Sequence, residues 1–141
     1  MKKIITIFSI ASILFSCSPK DDNPEYTRSL LKVSSVTFPV ATATNFKFAK
    51  DSVTVIPMTY IRPNNCTEFN GLYYSKNAFT RTVAIEVVKE ERGDCPLTNI
   101  TETTNLRFSP AVLGTYHFKF WKNTTAAGVD EFFEFDAIVN H

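Results

Sequence analysis

The residue types able to perform covalent, acid–base or metal chemistry are few in this chain. There are three cysteines, Cys17, Cys66 and Cys95, and two histidines, His117 and His141. A zinc site needs clustered cysteine or histidine ligands, and neither a Cys-x-x-Cys nor a His-x-x-x-His spacing occurs. A catalytic serine or cysteine needs a positioned base, and no Gly-x-Ser-x-Gly motif accompanies the histidines. The sequence therefore predicts no catalytic residue, no metal site and no cofactor.

Residues 1–16 are arranged as a secretory leader. Lys2 and Lys3 precede a mainly apolar run, 4–15, of about 12 residues, which is short of the roughly 20 that a bilayer-spanning helix needs. At its end, Leu14-Phe15-Ser16-Cys17 resembles the lipobox of bacterial lipoproteins. The resemblance implies that residues 1–16 are a signal peptide and that Cys17 is acylated and begins the mature protein.

An acylated Cys17 would attach the protein to a membrane. Several acyl chains on one residue give stable attachment, whereas a single chain holds only marginally. Residues 17–29 then form the acylated cysteine and a flexible tether, because the stretch 18–25 is charged, contains two prolines and has no apolar residue to bury. Within it, Lys20-Asp21-Asp22 resembles the signal that exports some lipoproteins to the outer face of the outer membrane, with a generic spacer as the alternative. We expect an outer-membrane anchor, on the cell surface or the periplasmic face.

The overall charge excludes one class of partner. The chain has 15 basic and 14 acidic residues, a formal net charge of +1, and no basic run follows the leader. Nucleic-acid binding depends on clustered positive charge, so no nucleic-acid partner is expected. The residues after the tether, 30–141, suit a single domain.

Those residues are rich in valine, threonine, phenylalanine and tyrosine, which favour β-strands. Alternation is clearest in 80–89, where Val83, Ile85 and Val87 share one face. The strand 52–62 carries apolar residues on both faces, which predicts partial cover on both sides, and Pro57 within it predicts an edge or a bulge. The predicted strands are 30–38, 45–49, 52–62, 71–75, 80–89, 100–108, 116–121 and 133–139.

The last two predicted strands form an antiparallel hairpin. Seven or eight short strands without a helix predict an all-β fold, a single antiparallel β-sandwich, with a small barrel as the alternative. Leu113-Gly114-Thr115-Tyr116 resembles the tyrosine corner of immunoglobulin-like domains, and the alternative is an ordinary core tyrosine. Phe118 stands where antibody domains have a cysteine, so their usual inter-sheet disulfide is absent. We therefore expect a sandwich of immunoglobulin-like type.

Cys66 and Cys95 offer a different covalent link. Each follows the C-terminal end of a predicted strand, 52–62 and 80–90, in a chain whose leader indicates an oxidising compartment. A disulfide between them would require the two strand ends to meet at one pole of the domain. Two free buried thiols or a metal site are the alternatives, and we expect the disulfide.

A candidate binding patch follows from the hairpin. If Tyr116, Phe118 and Phe120 face the core, then His117, Lys119 and Trp121 face outward. An exposed tryptophan on a sheet suits ring stacking or a protein contact. Other aromatic residues that would extend the patch are Tyr73, Tyr74 and Phe79. The alternative is that these aromatic side chains only fill the core or are covered.

Ser52 is a second candidate for modification. Asp51-Ser52-Val53 resembles a short acceptor motif for O-linked glycans in some bacteria that export lipoproteins, so Ser52 is a candidate O-glycosylation site.

These observations predict a membrane-anchored lipoprotein that presents a β-sandwich as a binding or accessory module at the cell envelope. Its expected partners are the membrane, through Cys17, and a glycan or protein ligand. The alternatives are a small surface hydrolase of glycans, which would need two facing carboxylates, and a structural subunit of an envelope assembly.

Overall fold

The part of the chain that the structure describes forms nine β-strands and contains no helix. The computed structural model describes residues 24–38, 46–91 and 94–140. The all-β prediction is confirmed, and these described residues alone form nine strands where seven or eight were expected. The strands are β1 (Tyr26–Leu31), β2 (Val33–Val36), β3 (Phe46–Ala49), β4 (Thr54–Asn64), β5 (Thr67–Asn77), β6 (Thr80–Glu90), β7 (Leu97–Phe108), β8 (Gly114–Thr124) and β9 (Asp130–Asn140).

The strands form two sheets that pack as a β-sandwich. The smaller sheet has the order β2-β4-β7. In the larger, six-stranded sheet, β5 pairs with one edge of β6, while the other edge of β6 pairs first with β8 and then with β1. β9 follows β8, and β3 lies beyond β9.

The β-sandwich prediction is confirmed, but two of the pairings are parallel, so the larger sheet is mixed where antiparallel pairing was expected. β6 runs parallel to β8, and β3 runs parallel to β9. The chain leaves the larger sheet after β6, crosses the smaller sheet as β7, and returns as β8. Because this excursion reverses the chain direction twice, β6 and β8 run the same way.

The N-terminal segment changes sheets. It was expected to form one strand over 30–38, but it breaks at Lys32, where β1 in the larger sheet gives way to β2 in the smaller. β1 also begins at Tyr26, within the residues assigned above to the tether. The side chains of β1 are mostly exposed, so its pairing with β6 rests on backbone hydrogen bonds and leaves no apolar pattern in the sequence.

The core lies between the inner faces of the two sheets. The predicted alternation holds: Tyr116, Phe118 and Phe120 are buried on the inner face of β8. The rings of Phe108 and Phe118, from opposite sheets, pack edge to face with centroids 4.9 Å apart. Other buried core residues are Val33, Phe48, Ile56, Met58, Tyr60, Val83, Ile85, Val87, Leu106, Ala137 and Val139.

β4 differs from its prediction in two ways. The prediction that both of its faces are partly covered is wrong, because Val55 and Ile61 on the outer face are exposed. Pro57 lies in the central strand of its sheet, and the register shift occurs around Pro63 instead. The Pro57 carbonyl accepts a hydrogen bond from Thr37 N at 2.8 Å, and Thr37 lies just beyond the end of β2. The missing N–H of Pro57 therefore falls where the pairing of β2 with β4 stops, which is why a proline is tolerated here.

A disulfide joins Cys66 to Cys95, with their Cα atoms 5.7 Å apart. Cys66 lies between β4 and β5 and Cys95 between β6 and β7, which are two connections that cross between the sheets. The prediction of this disulfide is confirmed. We call this end of the sandwich the disulfide pole.

Candidate functional site

The outer face of the larger sheet carries most of the predicted patch. Successive side chains of a strand point to opposite faces, so burial of Phe118 and Phe120 turns His117, Lys119 and Trp121 outward. All three are partly exposed. On the next strand, Trp121 lies opposite Phe132.

An open depression of about 360 Å³ lies in this face. Its aromatic walls are Tyr73 of β5, Trp121 of β8 and Phe132 of β9. Its floor includes Ala84 of β6, which lies opposite Tyr73 and is only 2 % exposed. The small alanine side chain leaves space between the larger neighbours. We call this site the aromatic depression; its remaining lining residues are Leu30, Thr82 and Asp130.

The Trp121 indole is held by Asp130. Its Nε1 donates to Asp130 Oδ1 at 3.0 Å, and the Thr124 hydroxyl donates to the same oxygen at 2.6 Å. Both hydrogen bonds lower the pKa of the Asp130 carboxyl, and the one from Thr124 has the larger effect. The intervening turn is closed by hydrogen bonds from Thr125 N and Gly128 N. The indole edge is thus fixed, while its face remains available for stacking.

A strip of paired polar and charged side chains runs along β8 and β9 beside the aromatic depression. His117 Nδ1 lies 2.6 Å from Asp136 Oδ1, and His117 Nε2 lies 3.2 Å from Glu134 Oε2. Lys119 Nζ lies 3.3 Å from Glu134 Oε1 and 4.4 Å from the centre of the Phe132 ring. These partly exposed pairs contribute little to stability, but through Lys119 they place hydrogen-bonding groups beside the Phe132 wall of the aromatic depression.

Two members of the predicted patch lie elsewhere. Tyr74 follows Tyr73 directly and therefore points to the inner face, where it packs against the core. Phe79 lies in the β5–β6 turn, where its ring contacts Tyr116 at 5.1 Å between centroids. Phe132 was not predicted, although the burial of Phe133 and Phe135 places it on the outward side of β9.

The remaining candidates are not brought to this face. Cys17 lies outside the described residues. Ser52 is exposed between β3 and β4, where its backbone N donates to Ala49 O at 3.3 Å. Within 24–38, 46–91 and 94–140, histidine, cysteine and carboxylate residues form no group of three or more that could hold a metal ion. The same ranges contain no helix of the length and hydrophobicity needed to span a membrane.

Comparison of the chain with protein-family models, with curated proteins and with solved structures finds no significant match. The assignment of function therefore depends on the residues and their geometry.

Proposed function

We propose that this chain is an acylated bacterial lipoprotein whose β-sandwich binds a glycan at the outer membrane through the aromatic depression. The observation that carries the binding proposal is the convergence of Tyr73, Trp121 and Phe132 from three strands on one open site. Tyr73 is 44 % exposed, and no other element of the described chain covers the site. Exposed clustered aromatic side chains favour a ligand-binding role over simple packing.

The side chains suit a saccharide ring. The C–H face of a sugar packs against the flat face of an indole or phenol ring, and its hydroxyls need hydrogen-bonding partners at the edge. Trp121 offers the flat face, while Lys119 and Glu134 offer a donor and acceptors on the adjoining strip. A purely apolar protein contact would not need this charged border.

The geometry favours binding over hydrolysis. Glycoside hydrolysis requires two carboxyl groups flanking the bond that is cleaved. The aromatic depression is lined by one carboxylate among the described residues, Asp130. That carboxylate already accepts hydrogen bonds from Trp121 and Thr124.

We further propose that the sandwich is of immunoglobulin-like type, and three features support this assignment. The Tyr116 hydroxyl donates to Val112 O at 3.1 Å, which is the bond of a tyrosine corner. The N-terminal segment contributes strands to both sheets, and β3 pairs in parallel with the last strand.

The position of β1 is compatible with anchoring through Cys17. β1 begins at Tyr26 opposite Glu90, at the disulfide pole. The residues from Cys17 to Tyr26 can span at most about 30 Å, so an acylated Cys17 would hold the disulfide pole towards the membrane. The outer face of the larger sheet would then stand at the side of the anchored domain, open to ligands.

The binding proposal is tested with the full-length chain in detergent micelles and a panel of envelope glycans. Trp121 is the only tryptophan, so its fluorescence reports directly on the aromatic depression. We expect a saturable emission change with at least one glycan, and Tyr73→Ala or Phe132→Ala should weaken binding roughly fivefold to tenfold. Tyr26→Ala, an exposed aromatic position on the same sheet, is the matched control and should bind normally.

Equal affinity of the Phe132→Ala and Tyr26→Ala variants would show that the aromatic depression is not the site. Release of shortened products from any glycan would indicate the hydrolase instead, and no response to any glycan would contradict the ligand class.

The anchor is tested separately by metabolic palmitate labelling, intact-mass measurement and protease shaving of whole cells. We expect a lipid-sized mass gain that is lost in Cys17→Ala. An unlabelled protein that retains Met1 would contradict the lipoprotein assignment.

A further inference from the structure

A second, larger pocket lies at the other end of the sandwich. It has a volume of about 390 Å³ and opens between the β5–β6 hairpin and the segment 109–112, which connects β7 to β8. We call it the hairpin pocket. Three of its lining side chains are cationic: Lys76 of β5, Arg81 of β6 and Arg107 at the end of β7. It lies near the start of β6, whereas the disulfide pole lies at the end of that strand.

The positive charge of the hairpin pocket is not balanced by protein groups. No carboxylate is among its lining residues, and none of its three cations forms an ion pair within the described ranges. Lys76 and Arg81 also lie directly opposite each other across the β5–β6 ladder, an arrangement that is destabilising for like charges. Elsewhere in the domain, Arg62 binds Glu102 at 2.7 Å. By contrast, none of the described carboxylates neutralises the three cations that line the hairpin pocket.

The Arg81 guanidinium is held in one orientation. Its Nη1 donates to Ala78 O at 2.7 Å and to Thr80 O at 2.9 Å. Its Cζ lies 4.8 Å from the centre of the Tyr116 ring, which is a favourable cation–π distance. These contacts restrain the side chain before any ligand arrives.

One donor of this restrained group is left without a partner. Arg81 Nε is buried and has no hydrogen-bond acceptor within the described part of the chain. An unpaired buried donor costs free energy, so an acceptor from a ligand would relieve that cost. In a planar guanidinium, Nε and Nη2 share one edge, and this edge matches two oxygens of a carboxylate or phosphate.

Tyr74 adds a neutral donor beside Arg81. Burial raises the pKa of its phenol, and the neighbouring Arg81 lowers that pKa by less. Tyr74 thus keeps its proton at neutral pH and can donate to an anion in the hairpin pocket.

We propose that the hairpin pocket binds the oxyanion group of a small ligand, with the Nε and Nη2 edge of Arg81 as the bidentate donor and Lys76 and Arg107 supplying additional positive charge. The shared chemistry is a phosphate, sulfate or carboxylate group. This site is distinct from the aromatic depression, because adjacent residues Tyr73 and Tyr74 point to opposite faces of β5. The proposal does not depend on the glycan or anchor assignments.

The test titrates the full-length chain in detergent micelles with inorganic phosphate, sulfate and acetate, with ionic strength held constant by chloride. The readout is the side-chain N–H signal of each arginine by nuclear magnetic resonance, together with isothermal calorimetry. We expect saturable binding of at least one anion, with the Arg81 Nε–H signal moving more than that of Arg28. The ranking of the three anions identifies the oxyanion class.

Variants separate a specific site from a general charge effect. Arg107→Gln removes an exposed cation that makes no hydrogen bond within the described residues, so the fold should be retained while affinity falls roughly tenfold. Arg81→Lys keeps the charge but loses the two-donor edge, and should weaken binding at least as much. Arg28→Gln is the matched control, because Arg28 lies opposite Val88 near the far end of β6 from Arg81, and it should change the affinity less than about twofold.

Three results would overturn the proposal. The first is the absence of saturable binding by all three anions. The second is equal weakening by Arg28→Gln and Arg107→Gln, which would indicate diffuse charge attraction. The third is a folded Arg81→Lys variant that binds with unchanged affinity. Circular dichroism of each variant establishes that the fold is retained.

Discussion

The hydroxyl of Tyr116 donates a hydrogen bond to the carbonyl oxygen of Val112, 3.1 Å away. This bond fixes the segment by which the chain returns from the smaller sheet to the larger one. The same ring is in edge-to-face contact with Phe79 and Phe108, at 5.1 and 5.0 Å between centroids. Tyr116 therefore joins the returning segment, the hairpin turn and the core.

Removal of the Tyr116 hydroxyl alone should destabilise the domain modestly. Tyr116→Phe keeps the ring contacts but loses the bond to Val112, so we expect the free energy of unfolding to fall by about 1 kcal/mol in urea denaturation. Tyr73→Phe, which removes an exposed phenol hydroxyl, is the control and should have little effect. Equal losses in the two variants would mean that the hydrogen bond from Tyr116 to Val112 makes no particular contribution to stability.

The Cys66–Cys95 disulfide should account for a larger share of stability. Its two ends are 29 residues apart, and closing a loop of that length restricts the unfolded chain by roughly 3 to 4 kcal/mol. We expect Cys66→Ala/Cys95→Ala to lose about that much in urea denaturation, while Cys17→Ala loses nothing. If reduced and oxidised wild-type protein unfolded at the same urea concentration, the disulfide would be energetically neutral.

Glu102 should make stability depend on acidic pH. The Tyr60 hydroxyl donates a hydrogen bond to the Glu102 carboxylate, and Arg62 forms an ion pair with the same carboxylate. Both contacts lower the pKa of the Glu102 carboxyl, and the hydrogen bond from Tyr60 has the largest single effect. Because the folded-state pKa is depressed, the stabilisation is complete above the unfolded-state value of about 4.3 and is lost as the pH falls through the folded-state value. The free energy of unfolding of wild type should thus exceed that of Glu102→Gln at neutral pH, and this difference should shrink towards zero in acid.

Urea unfolding at neutral pH and at about pH 3 measures this change. Glu68→Gln, which alters an exposed carboxylate outside any ion pair of the described residues, is the control. A pH-independent difference between wild type and Glu102→Gln would contradict the linkage.

Alternation in the sequence predicted the strands that face the core, but not how the sheets are ordered. In β8 and β9, apolar residues recur at every second position, from Tyr116 to Phe120 and from Phe133 to Val139, because one face of each strand packs against the core. β1 escaped detection at Tyr26 because its exposed side chains carry no such signal. The parallel pairing of β6 with β8 follows from the passage of β7 through the other sheet, and no local pattern encodes that excursion.

The sequence predicted part of the aromatic depression and its neighbouring residues, but it did not predict the hairpin pocket. Period-two alternation placed His117, Lys119 and Trp121 on one face, although it could not decide between Tyr73 and Tyr74 without the register of β5. The hairpin pocket gave no sequence signal, because Lys76, Arg81 and Arg107 come from three strands in two sheets. Only the packing of the sheets brings these charges together.

Lys76→Glu should separate the stability of the domain from the function of the hairpin pocket. The new carboxylate would lie directly opposite Arg81 on the β5–β6 ladder, replacing a repulsive pair by an attractive one. We expect the free energy of unfolding to rise by roughly 0.2 to 1 kcal/mol, while phosphate binding is abolished because the protein now supplies its own anion. Urea denaturation and phosphate calorimetry measure the two effects.

The matched control for this charge reversal is Lys47→Glu. Lys47 is an exposed residue of β3, at the far edge of the larger sheet and outside any ion pair of the described residues. It imposes the same change in net charge without a facing arginine, so it should leave both stability and phosphate affinity nearly unchanged. A more stable Lys76→Glu variant that still bound phosphate at wild-type affinity would mean that Arg81 and Lys76 repel each other without forming an anion site. A loss of binding in both variants would trace the attraction to net charge alone.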